Sequence, residues 1–346
     1  MKSKDIDRID VIDPHVHSGE DVFGPDSKTV VNSDLNVYVK NAEKLRIKKI
    51  IVIPEPTHRL RLRNGIIEES CIWEVKEDNT EKQHIEFKRL LKRDDSTRTE
   101  LNPKKPYINI NRFVLNDIKS RNKASGVPKM FFAPLLHPRL DSEPNIVEFI
   151  NDDQTKAIKI HGPSTYSSPS NIPKWAINLS RKYDLPFIIH TDSIYELETA
   201  SSSAMKLILE KNISSKWARW ANENNVCAYL AHGIGLDKET AKIVNNNENL
   251  IVGIGPDAVI NSEITGQNKD RKSTYIETLF NIVYPERVVF STDFAWNWKS
   301  SDKNTLDWKT KKRLSKFFIE NGYDFNTVFN ILYINTSESS FFNNSE

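Results

Sequence analysis

His15 and His17 stand one residue apart in "VIDPHVHSGED", residues 11–21, at the end of a short apolar run. Side chains alternate along a strand, so a strand here points both imidazoles to the same face. Two neutral imidazoles on one face can hold a divalent transition metal. The pair alone is a weak signal, because an H-x-H also arises by chance. Other polar residues occupy matching places: His190 in "LPFIIHT", His232 in "VCAYLAHG", Asp293 in "RVVFSTDF", and Lys159 with His161 in "KAIKIHG". Each lies at the C-terminal end of an apolar run. Any one of them reads equally well as a buried structural residue, but the set does not, because strand ends of this kind converge on one mouth in a parallel barrel.

The elements that must position these residues recur along the chain. Apolar, β-branched runs occupy 8–17, 48–54, 129–138, 156–162, 185–191, 226–233, 249–255 and 287–294, with polar loops and helically spaced segments between them. Parallel strands buried on both faces read as such continuous runs. The economical reading is α/β, a closed (β/α)8 barrel of the TIM type forming one domain over 1–346, with an open doubly wound sheet as its rival. A long segment, 57–128, interrupts the pattern after the second strand and reads as an insertion serving as lid or specificity element. Two pieces of it carry helical spacing: Phe87, Leu90 and Leu91 in one, and Ile110, Phe113, Val114 and Ile118 in the other. Two further helical patterns follow Asp293, around 308–320 and 326–340.

Composition narrows the class. The chain has 346 residues, 38% hydrophobic and 28% charged, with a formal charge of +2. A near-neutral balance gives little footprint for nucleic acid phosphates, so a small-molecule substrate is the expected partner. The two cysteines, Cys71 and Cys227, form no C-x-x-C pattern and suggest neither a disulfide framework nor a cysteine zinc site. No stretch has signal-peptide character or the roughly 20 apolar residues of a membrane span, so the expectation is a cytoplasmic protein with no membrane partner.

The order of these residues, with H-x-H on strand one, Lys159 and His161 on four, His190 on five, His232 on six and Asp293 on eight, resembles the amidohydrolase superfamily. Similarity is greatest to the branch of aminocarboxymuconate-semialdehyde-decarboxylase-like enzymes, carried by "IKIHG", "LPFIIHT", "VVFSTDFAW" and the closing "NILYINTSESSFF". It extends from strand one to the C-terminus and leaves out 57–128. The resemblance implies His15, His17, His190 and Asp293 as ligands of one divalent ion, zinc before manganese or iron(II), with a position open for water. It also implies Asp293 as both ligand and general base and His232 as the group that polarises or orients. Lys159 is the ambiguous member. In binuclear relatives it is carboxylated and bridges a second metal, in the mononuclear branch it is not, and a buried carboxylate such as Asp13 or Asp293 would explain it structurally.

Further residues are candidates for lining the site. His161 shares the strand end and face of Lys159, and His137 closes strand three. Arg59, Arg61 and Arg63 alternate just after strand two, where an extended segment would aim three guanidiniums at a carboxylate or phosphate. Trp296, with Trp298, could supply an aromatic wall, and Asp13 sits deeper as support for the ligands. The reading is a metal-dependent hydrolase of an amide, lactone or ester bond, using a metal-activated hydroxide. The alternatives are a decarboxylase of an aromatic or unsaturated acid, and a phosphodiesterase like the TatD deoxyribonucleases, which carry glutamate where this chain has Lys159. Pairing into a homodimer is expected from the habit of such barrels.

Overall fold

Each of the eight apolar runs forms a strand with parallel neighbours. The computed structural model describes residues 5, 7–23, 29–55, 72–75, 85–88, 107–165, 167–191, 213–255, 275–294 and 317–337. Strand β1 (Val11–Phe23) pairs antiparallel with β2 (Thr29–Ser33) and, along its first half, parallel with β3 (Ile47–Pro54). The hairpin extends β1 beyond the run read from sequence. Between β2 and β3 lies helix α1 (Leu35–Ala42), whose N-cap Asp34 accepts from Asn36 N at 2.7 Å. Next come β4 (Ile72–Val75) and β5 (Ile85–Lys88), an antiparallel pair. Phe87 therefore belongs to a strand, against the helical spacing expected there; alternation over so short a stretch satisfies either period. Leu90 and Leu91 lie outside the described residues.

Helix α2 (Ile108–Arg121) packs on both β3 and β6 (Lys129–Phe132), as a βα crossover does. Val114 and Ile118 are buried as their spacing predicts, but Phe113 is 66% exposed and falls off that face. The strands continue with β7 (Leu135–Leu136), β8 (Ile158–Ile160), β9 (Phe187–Ile189), β10 (Ala228–Leu230), β11 (Leu250–Ile254) and β12 (Val288–Phe290). From β7 to β12 each pairs parallel with the next.

Two short links turn these sheets into a ring. Phe132 bridges Thr155, and Val16 bridges Phe294, where His17 N donates to Phe294 O at 2.8 Å. β6 and β7 together form the third barrel strand, so the eight expected strands close into a (β/α)8 barrel. Its interior holds Ile12, Ile51, Phe131, Ile188, Tyr229 and Val289, while the alternate residues pack outward against the helices. No described helix is long and apolar enough to cross a membrane.

Gly253 shows how tightly the interior is filled. A Cβ there would lie 1.8 Å from Tyr229 Oη, which donates to Ser291 Oγ at 3.0 Å. Gly253→Ala is expected to destabilise the barrel by about 1–3 kcal/mol through overpacking, read as a lowered denaturant midpoint at unchanged m-value.

Candidate metal centre

β1 reaches the mouth through register irregularities between Val11 and Ile12 and between Asp13 and Val16. Beyond them His15 and His17 both face inward and are almost fully buried. Asp293 arrives from the opposite end of the chain, just past β12, with φ 46°, a left-handed conformation that aspartate tolerates better than most residues. His15 Nε2 lies 3.1 Å from His17 Nε2, and Asp293 Oδ1 lies 3.5 Å from each of them. No described group makes a geometrically sound hydrogen bond to that buried oxygen.

These three edges test the fit to a metal. Ligands about 2.0–2.1 Å from a tetrahedral zinc are roughly 3.3–3.4 Å apart, so the triangle has the size such an ion requires. Protonation agrees. Burial first, then the Lys159 cation, holds His15 well below the usual imidazole pKa, and burial lowers His17 against the upward pull of Asp293, leaving both neutral. Burial disfavours the Asp293 carboxylate, but its contacts with His15, His232 and His17 outweigh it and hold its pKa well below the usual carboxylate range. Two neutral nitrogens and one anionic oxygen form a donor set suited to a borderline divalent ion.

Lys159 Nζ is 3.1 Å from His15 Nε2. Burial pulls its pKa down to about 7, against the upward pull of Asp293 and Glu55. Its close contact is thus an imidazole rather than the buried carboxylate of Asp13, which is engaged elsewhere. Asp13 accepts from His15 N at 3.2 Å, Tyr38 Oη at 2.7 Å and Thr292 N at 3.1 Å, and also from Thr292 Oγ1. Burial pushes its pKa up to about 6 even though the bonds from Thr292 and Tyr38 oppose the rise. It fastens the first strand to the residue before Asp293.

The remaining histidines stack beside the triangle. His232 Nε2 meets His190 Nδ1 at 2.9 Å, His232 Nδ1 is 3.8 Å from Asp293 Oδ2, and the His161 ring lies 4.1 Å from that of His190. His190 therefore reaches the centre through His232, outside the compact His15, His17 and Asp293 group. His232 opens a left-handed turn in which Gly233, Ile234, Gly235 and Leu236 also have φ between 56° and 67°. Such a run is costly for non-glycine residues and is kept only where packing over-determines it.

His137 is fully buried, its ring 5.9 Å from Tyr107. Arg59, Arg61, Arg63 and Trp296 lie outside the described residues. Two contributors escaped the sequence reading. Glu55 follows β3 directly, is buried, and places Oε2 3.6 Å from His17 Nδ1; Tyr229 sets its ring edge-on to His15, 5.9 Å away. Strand parity could have found both, since Ile51, Ile53 and Glu55 share a face, as do Tyr229 and Ala231.

No protein-family model and no curated protein matches the sequence. Solved structures do match over nearly its whole length. IDCase from Metarhizium anisopliae is 11% identical with a TM-score of 0.54, covering 96% of this chain and 97% of its own. A protein described as a probable 2-pyrone-4,6-dicarboxylic acid hydrolase from Acinetobacter baumannii is 10% identical with a TM-score of 0.54, covering 96% and 100%. An enamidase described as a new member of the amidohydrolase superfamily is 12% identical with a TM-score of 0.50, covering 95% of this chain and 66% of that one. The chain has the barrel fold found in that superfamily.

Proposed function

We propose that this chain is a metal-dependent hydrolase of the amidohydrolase superfamily, cleaving an amide, lactone or ester bond in a small molecule with one divalent ion, zinc in the first instance. The observation that carries this reading is the His15, His17 and Asp293 triangle, with metal-ligand edges, at the C-terminal mouth of a closed barrel. Those three residues would hold the ion. His190, whose Nδ1 meets His232 Nε2 at 2.9 Å, stands beside this group as the candidate for a further ligand. A bound divalent ion supplies Lewis acidity, polarising a substrate carbonyl and making water a competent nucleophile near neutral pH.

The protein's own groups handle the protons. Asp293 is ionised and directs Oδ1 toward the two histidines and Oδ2 toward His232. It can take a proton from water and return it to the leaving group as general base and then acid. His232, 3.8 Å away through Nδ1, is placed to orient that carboxylate and would polarise a substrate oxygen bound there. The test is metal analysis of the purified chain, followed by assay against amides, lactones and esters before and after chelation. One ion per chain and hydrolysis abolished by chelator and restored by zinc are expected. Carbon dioxide released from an unsaturated acid would make it a lyase on the same centre. Two ions per chain, or a carbamate on Lys159, would overturn the one-metal assignment.

A further inference from the structure

Glu55 divides the work of the His17 ring. His17 Nε2 faces His15 Nε2 at 3.1 Å and Asp293 Oδ1 at 3.5 Å, while Nδ1 faces Glu55 Oε2 at 3.6 Å. That last distance is an ion-pair separation, about half an ångström longer than a formed N–H···O bond. The carboxylate has no solvent exposure, and its backbone is pinned: Glu55 N donates to Ser18 O at 2.9 Å, next to His17 itself. A neutral imidazole carries one N–H, and an ionised carboxylate accepts without donating. A carboxylate at Nδ1 therefore draws the single proton to that nitrogen and leaves the lone pair on Nε2, the atom turned toward the centre.

We propose that Glu55 is a positioning residue that holds the His17 proton on Nδ1 and so presents Nε2 to the metal, without touching metal or substrate. This rests on the reading of the centre given above. The test uses full-length protein labelled with 15N-histidine, in which long-range 1H–15N correlations report the tautomer of each ring, together with chelator competition for zinc. His17→Asn assigns the signal. In wild type, the Nδ1–H tautomer of His17 is expected. Glu55→Ala should give a mixture of tautomers and about 10–100-fold weaker zinc binding. Glu55→Gln, whose amide oxygen still accepts from Nδ1, should keep the tautomer and most of the affinity.

An Nε2–H tautomer in wild-type protein overturns the proposal, and it does so even if Glu55→Ala fails to fold. So does an Ala variant with unchanged tautomer and affinity. A Gln variant as weak as Ala, with the tautomer retained in both, would also overturn it, making Glu55 only the counter-charge of Lys159. Wild-type protein that takes up no zinc yet shows the Nδ1–H tautomer overturns the reading of the centre instead, and leaves the Glu55–His17 contact standing.

Discussion

Asp293→Asn is expected to fold like the parent protein and to lose its metal. Asparagine is among the few residues that accept φ near 46°, so the turn after β12 survives the change. The side chain keeps its shape and loses its charge, and the charge is what faces His15 and His17 at 3.5 Å. Removing the one anionic ligand weakens the site for a dication, and Lewis-acid stabilisation of several kcal/mol goes with the metal. Hydrolysis should fall about a thousandfold or more, the kinetic equivalent of ~4 kcal/mol. Metal content, activity and the denaturation midpoint, measured on one preparation, check this. His15→Ala should lose the metal as well. An Asn variant that retains stoichiometric metal would show that Asp293 is not a ligand.

Much of this arrangement was legible because it obeys strict alternation. Barrel strands buried on both faces read as unbroken apolar runs, and the polar residue at the end of each run marks the mouth, as at His15, His17, His190 and Asp293. What escaped did so for physical reasons. Glu55 follows Pro54 as a single acidic residue, and one charge before a polar segment looks solvated until β3 is known to aim it inward. Strict alternation gives Asp13 the phase of His15 and His17, but the irregularities of β1 break that phase and leave it bonded to Tyr38 on α1. Phe87 could not be assigned by period, because four residues of alternation fit either element. The role of His190 is a question of which nitrogen faces which ring, something no sequence pattern carries.

Asp13→Ala should be the most destabilising single change near the centre. Oδ1 accepts from both His15 N and Thr292 N, and Oδ2 accepts from Tyr38 Oη and Thr292 Oγ1, all in a buried setting. Alanine removes both acceptors at once and leaves two backbone N–H groups and two hydroxyls to satisfy. At 1–3 kcal/mol for each buried group left unpaired, and with partial relaxation, the loss is about 4 kcal/mol. Asp13→Asn separates hydrogen bonding from charge. Its Oδ1 can keep both backbone donors, and the hydroxyls can turn to accept from Nδ2, so a loss of about 1–2 kcal/mol is expected. Urea denaturation of the two variants checks the order. Because Thr292 precedes Asp293 directly, the Ala variant should also bind zinc about 10–100-fold more weakly even where it is fully folded. If Ala and Asn were equally destabilising, the Asp13 charge rather than its acceptors would be what joins the first strand to the last.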